Sequence, residues 1–151
     1  MHKQITIATD ISIKLRRYLE CNHRNIAGKY RLMLNQFPRN SCEPTSIFLG
    51  SLFSKNFGSD NVFIINIDCK KIEGMHFFVE FDKLYYDLTF DQFDFCQDII
   101  IAGDKSPFDG IIHDILYRKN FADFISEYKN SPYNNKELIQ LALEEINSAI
   151  L

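Results

Sequence analysis

The chain has no tryptophan, only four cysteines, four prolines and six glycines, and no large excess of either charge. Each shortage excludes something. With 17 Lys and Arg against 20 Asp and Glu, the net charge is -3. A chain so balanced lacks the dense basic face that phosphate backbones require, so nucleic acid is not an expected partner. The cysteines, Cys21, Cys42, Cys69 and Cys96, show no C-x-x-C and no short paired spacing. That argues against a structural zinc site. No metal and no cofactor are expected, and a domain of this size does not need disulfides. No apolar run is long enough to cross a bilayer and no secretory leader pattern is present, so a membrane partner is not expected. The expectation is a chain made in a reducing, cytoplasmic compartment. Export by a signal-independent machine to a target cell would leave the same sequence.

What is present is globular. The 151 residues are 46% hydrophobic and 25% charged, which fits one domain with a substantial core. Fourteen Phe and seven Tyr make that core aromatic. From about Asp10 to Gln36 apolar residues recur at helical spacing (Ile11, Leu15, Tyr18, Leu19, then Ile26, Tyr30, Leu32, Met33, Phe37), with Thr9 and Asp10 as N-cap candidates. Asn22, Asn25 and Gly28 predict a break. Basic residues Lys14, Arg16, Arg17, Arg24, Lys29, Arg31 and Arg39 read as a solvated helix face. Pro38 ends the region. Pro44 stands where proline is tolerated, in the first turn of a new helix, and the run to Phe57 is apolar on most sides, as in a buried central helix.

Strands are expected at Val62 to Ile67, His76 to Phe81 and Leu84 to Leu88, with a fourth at Ile99 to Ala102. Asp82-Lys83 reads as a tight hairpin turn without the usual glycine. Helices follow at Phe121 to Tyr128 and Asn135 to Ile150, with Leu138, Leu141, Leu143 and Ile146 as apolar positions. The fold class is α+β, an antiparallel sheet with helices gathered on one side. Along the chain this gives a helical region 1–37, a core 38–103 and C-terminal helices 104–151.

Three residues carry the chemistry. Cys42 stands at the start of the central helix, where unpaired N–H groups favour a thiolate and can hold an oxyanion. His76 opens the second strand, and period-two alternation puts it with Phe78 and Glu80 on the face opposite Phe77, Val79 and Phe81. If the Phe77 face packs inward, His76 points toward the helix start or a cleft. A hairpin turning at Asp82-Lys83 pairs residues whose numbers add to about 165, which makes Asp87 a diagonal neighbour of His76, close enough to orient it. Gln36, six residues before Cys42, is a candidate second oxyanion donor, with Asn40 and Ser41 as alternatives. Asp91 reads as the cap of a short helical turn. The other cysteines and His2, His23 and His113 lack such partners.

At Phe37-Pro38 with Cys42, His76 with Phe78-Val79-Glu80, and Tyr86-Asp87-Leu88-Thr89 with Gln92-Phe93, the chain resembles papain-like and transglutaminase-like cysteine hydrolases. It is most similar to small bacterial members found in polymorphic toxins and effectors. Their pattern is FPxGxC, an apolar helix, H-x-W/F-[VL]-E, and [ILV]-D-[LI]-T-x-x-Q-F. The resemblance covers roughly residues 36 to 93. It implies Cys42 as nucleophile, His76 as base, Asp87 as orienting acid and Gln36 at the oxyanion-hole spacing. Asn40 stands where the pattern has Gly, Phe78 where Trp is common, and Glu43 where Gly often follows the cysteine. Glu43 would oppose thiolate formation if its charge pointed inward.

The expected function is therefore cysteine-dependent hydrolysis of an amide in a protein or peptide substrate, by peptidase or glutamine deamidase chemistry. A non-catalytic binding domain of immunity or adaptor type and a metal-dependent hydrolase using Cys42, His76 and Asp87 are the alternatives.

Overall fold

The computed structural model describes residues 2–26 and 30–151. Gly28 and Lys29, expected at a helix break and on a basic face, lie outside the described residues. Five α-helices are present among the described residues: α1 (His2–Asn22), α2 (Arg31–Leu34), α3 (Cys42–Phe57), α4 (Phe121–Asn130) and α5 (Lys136–Ile150). Five strands accompany them: β1 (Val62–Cys69), β2 (Gly74–Phe81), β3 (Leu84–Asp87), β4 (Ile100–Gly103) and β5 (Asp114–Asn120). All neighbouring strands are antiparallel, in the order β4-β3-β2-β1-β5. The class is α+β.

The helices share one face of the sheet. Ile64, Val79, Phe81 and Tyr86 meet Leu15 and Leu19 of α1, Phe48, Leu52 and Phe53 of α3, and Ile139 and Ile146 of α5 in one core. α3 is buried almost all round from Pro44 to Phe53, as its apolar sequence requires. Gly50 is what lets α4 approach it: a Cβ there would stand 2.5 Å from the Phe121 ring. The opposite sheet face is also covered. Ile65, Ile67, Cys69 and Phe78 pack under Phe90 and Phe108 from the connecting segments. Every residue from His76 to Phe81 is consequently buried, and β2 opens to solvent only at its start, where Met75 is exposed.

The hairpin between β2 and β3 fixes the register. Val79 pairs with Tyr86, Glu80 with Tyr85 and Phe81 with Leu84, each pair adding to 165. Asp82 and Lys83 have φ of 49° and 65°, both in the left-handed region that a two-residue turn of this hand demands, here met without glycine. Elsewhere the structure departs from expectation. α1 starts at His2, so Thr9 and Asp10 lie inside it and cap nothing; its first turns face solvent and carry no apolar stripe. The region 104–151 is not only helical, because β5 pairs with β1 at the sheet edge. In α5 the inward residues are Ile139, Ala142, Leu143 and Ile146, while Leu138 and Leu141 are exposed.

Candidate functional site

Cys42 is the first residue of α3, following Ser41. Ser41 does not cap the helix. Its buried hydroxyl faces the carbonyls of Met33 at 2.9 Å and Arg39 at 3.0 Å, pinning the loop that leads into α3. With no capping side chain, the first-turn amides keep their capacity to hold negative charge. Asn40, two residues before Cys42, has φ of 59°. Asparagine is among the few non-glycine residues that take this conformation readily.

His76 and Asp87 meet across β2 and β3. Nε2–H of His76 donates to Oδ2 of Asp87 at 2.7 Å, and both side chains are only 1% exposed. The other carboxylate oxygen accepts the Thr89 backbone N–H at 3.2 Å and stands 3.5 Å from the Thr89 hydroxyl. The His76 ring sits among aromatics, with Phe93 at 4.9 Å, Phe108 at 5.5 Å and Phe78 at 6.4 Å between centroids. It therefore lies beneath the aromatic cover of the second core. Its Nδ1 is buried without a formed hydrogen bond.

Burial alone would push the His76 pKa down. The charge and hydrogen bond of Asp87 outweigh it, and Cys42 adds to them, so the pKa rises from 6.5 to about 10. Cys42 is thus within interaction range of the imidazole, while Nδ1 lacks a fully formed bond. That combination describes proximity and charge rather than a thiol–imidazole bond of full geometry.

Glu43 is directed elsewhere. The hydroxyl of Tyr128, on α4, is pushed above its ordinary value, first by burial and then by the charge and hydrogen bond of Glu43. Burial and the same carboxylate raise Tyr117, on β5, to about 12. The carboxylate beside Cys42 acts on these two tyrosines.

Gln36 is not joined to this group. It is exposed on the turn before Cys42, where its carbonyl accepts the Arg39 N–H at 2.9 Å. No hydrogen bond among the described residues ties its side chain to Cys42, His76 or Asp87. The amide that does reach the cysteine loop is Gln92. Its Oε1 accepts the Asn40 N–H at 3.3 Å, and its Nε2 donates to the Thr89 hydroxyl at 3.2 Å.

Arg16 is a second residue whose role the sequence concealed. It is not part of a solvated face: its side chain is 13% exposed. It forks onto both carboxylate oxygens of Asp91 at 2.7 and 2.8 Å, donates to the Leu88 carbonyl at 2.7 Å and lies over the Phe37 ring at 4.9 Å. Asp91 accordingly serves as its partner rather than as a helix cap; Thr89 occupies the N-cap position. Leu88 follows Asp87 and Phe37 belongs to the cysteine loop, so one guanidinium from α1 braces both.

A cleft of about 580 Å³ lies alongside, lined in part by Arg39, Lys71, Glu73, Gln92, Phe93 and Phe95. Phe93 is shared between this cleft and the His76 surroundings. Among the described residues no cluster of three His, Cys, Asp or Glu is arranged to hold a metal ion, and no helix is long and apolar enough to cross a membrane. No family model, curated protein or solved structure matches the chain.

Proposed function

We propose that the protein is a cysteine hydrolase with a papain-like core that cleaves an amide in a protein or peptide substrate. Cys42 is the nucleophile, His76 the base and Asp87 the orienting acid. The observation that carries this reading is the state of His76: one ring nitrogen is held by Asp87 at 2.7 Å, and the other is buried, short of a hydrogen bond of full geometry and under the influence of Cys42. That division of labour between two ring nitrogens is what an oriented base requires. Two further features support it. Glu43, the residue that would oppose a thiolate, is engaged with Tyr128. Asn40, at the position of the pattern's glycine, takes the left-handed backbone that a glycine would supply.

With the proton of the Cys42–His76 pair held on the imidazole, whose affinity for it Asp87 raises, the Cys42 thiolate attacks the amide carbonyl carbon. The new C–S bond leaves an oxyanion facing the first-turn amides of α3. Collapse breaks the C–N bond, and the imidazolium returns its proton to the leaving amine or ammonia. Water then attacks the thioester as His76 accepts its proton. The C–S bond breaks, and carboxylate and thiol are regenerated. Peptidase and deamidase outcomes differ only in the leaving group. The cleft lined by Arg39 of the cysteine loop and by Phe93, which also flanks His76, supports a polymeric substrate by offering room for flanking residues. The toxin and effector likeness extends the proposal to a protein made in a bacterial cytoplasm and delivered to a target cell.

Iodoacetamide at neutral pH is expected to label Cys42 faster than Cys21, Cys69 and Cys96, and His76→Ala to slow that labelling about tenfold or more. Equal, slow labelling of all four would leave a non-catalytic binding domain as the better account. Intact-mass analysis of candidate proteins incubated with wild type and Cys42→Ala then separates proteolysis, which gives fragments, from deamidation, which adds about 1 Da through replacement of NH2 by OH.

A further inference from the structure

Cys42 and His76 belong to different parts of the chain, and a thiolate attack tolerates little error in their separation. Besides Arg16, a second side chain connects the two. Gln92 lies in the short 3₁₀ turn Phe90–Gln92 that follows β3. Its carbonyl oxygen accepts the Asn40 N–H, two residues before the nucleophile, at 3.3 Å. Its amide nitrogen donates to the Thr89 hydroxyl at 3.2 Å. Thr89 in turn presents its N–H and hydroxyl to Oδ1 of Asp87 at 3.2 and 3.5 Å. Oδ2 of Asp87 accepts from His76 at 2.7 Å.

The donors and acceptors run consistently along this path. Asp87 can only accept when ionised, so the Thr89 hydroxyl donates to it and is left to accept from Gln92. The amide orientation is then fixed, because reversing it would set an NH2 group against the Asn40 N–H. Asn40 holds φ 59°, which asparagine takes readily, and a tie to its N–H would keep the cysteine loop in place. Gln92 supplies that tie. The position needs a donor and an acceptor on one long side chain: Glu lacks the donor at neutral pH, Leu or Met lacks both groups, and Asn has both but is one methylene shorter.

We propose that Gln92 is a positioning residue that sets the Cys42–His76 separation by hydrogen-bonding the cysteine loop with one end of its amide and the Asp87 support with the other. The inference rests on the cysteine-hydrolase reading above and extends it to a residue that touches neither the substrate carbonyl nor the thiol. A purely structural role would be that of a residue closing its own 3₁₀ turn, and its loss would alter stability alone.

The test is the rate of Cys42 carbamidomethylation by iodoacetamide from pH 5 to pH 9, followed by intact mass, for wild type, Gln92→Ala, Gln92→Glu and His76→Ala, each with its thermal melting midpoint. Gln92→Ala is expected to lower the rate at pH 7 by about tenfold, the scale on which outer-shell hydrogen bonds act, and to move the pH profile toward that of an ordinary thiol. Gln92→Glu, nearly isosteric, keeps the acceptor for Asn40 and loses the donor to Thr89, so its rate falls between the two. If Gln92→Ala does not fold, the Gln92→Glu profile decides. A wild-type profile in the Gln92 variants beside a collapsed profile in His76→Ala overturns the role of Gln92 and leaves the nucleophile–base pair standing. A wild-type profile in His76→Ala overturns both.

Discussion

His76 is the residue on which the electrostatics turn. Its pKa is raised on folding, so its contribution to stability has a defined sign. The contribution is complete below about 6.5, the unfolded value, and disappears as the pH climbs toward about 10. Because cysteine, lysine and tyrosine side chains titrate over part of the same range, the measurement is a comparison. Urea denaturation at pH 6.5, 8 and 10 is expected to show wild type losing more stability across the interval than His76→Gln, by at least about 1 kcal/mol, the value of less than one pKa unit. Equal losses in both proteins would mean that Asp87 and Cys42 do not hold the extra proton on the imidazole. The same residue illustrates what could be read from the sequence. Its pairing with Asp87 was legible because a two-residue turn and a period of two leave one register. Its complete burial was not, because Phe108 reaches it from a segment with no periodic pattern.

Among the elements, α3 carries the most constraint. It presents Cys42 at one end and packs on the sheet along most of its length, so its depth in the molecule sets the position of Cys42. Gly50 determines part of that depth through its contact with Phe121. Gly50→Ala is expected to cost about 1–3 kcal/mol despite the better helix propensity of alanine, since overpacking against a buried ring outweighs a gain of about 1 kcal/mol. Chemical denaturation measures it, and a more stable variant would show that Phe121 gives way freely. The central helix was legible from its apolar run and from Pro44. Strand β5 was not, because its residues Ile115, Leu116 and Arg118 are exposed and offer no alternation of buried and solvated positions. The extent of α1 escaped for the same reason, since its buried stripe begins only at Ala8.

At the scale of the whole molecule, Arg16 joins what the sheet and α3 hold separately. Its partners lie 72 and 75 residues away in sequence, a distance that no local pattern reveals. In a composition count it was one cation among 17. The pair with Asp91 is bidentate and mostly removed from solvent, so breaking it is more costly than losing a surface ion pair. Arg16→Ala is expected to destabilise the fold by about 2–3 kcal/mol, with a coupling energy to Asp91→Ala of about 1–3 kcal/mol in a double-mutant cycle. Additive single effects would show that the two residues act independently.

The brace also bears on modularity. Phe37, Leu88 and Asp91 come from the stretch that contains every candidate catalytic group, while Arg16 comes from a helix that contains none. A fragment beginning at the cysteine loop would thus keep the reactive side chains but lose the strut that sets the two loops against each other. The first helix belongs to the folded unit, and a fragment cut between it and Cys42 is expected to lose the fixed geometry of the candidate site.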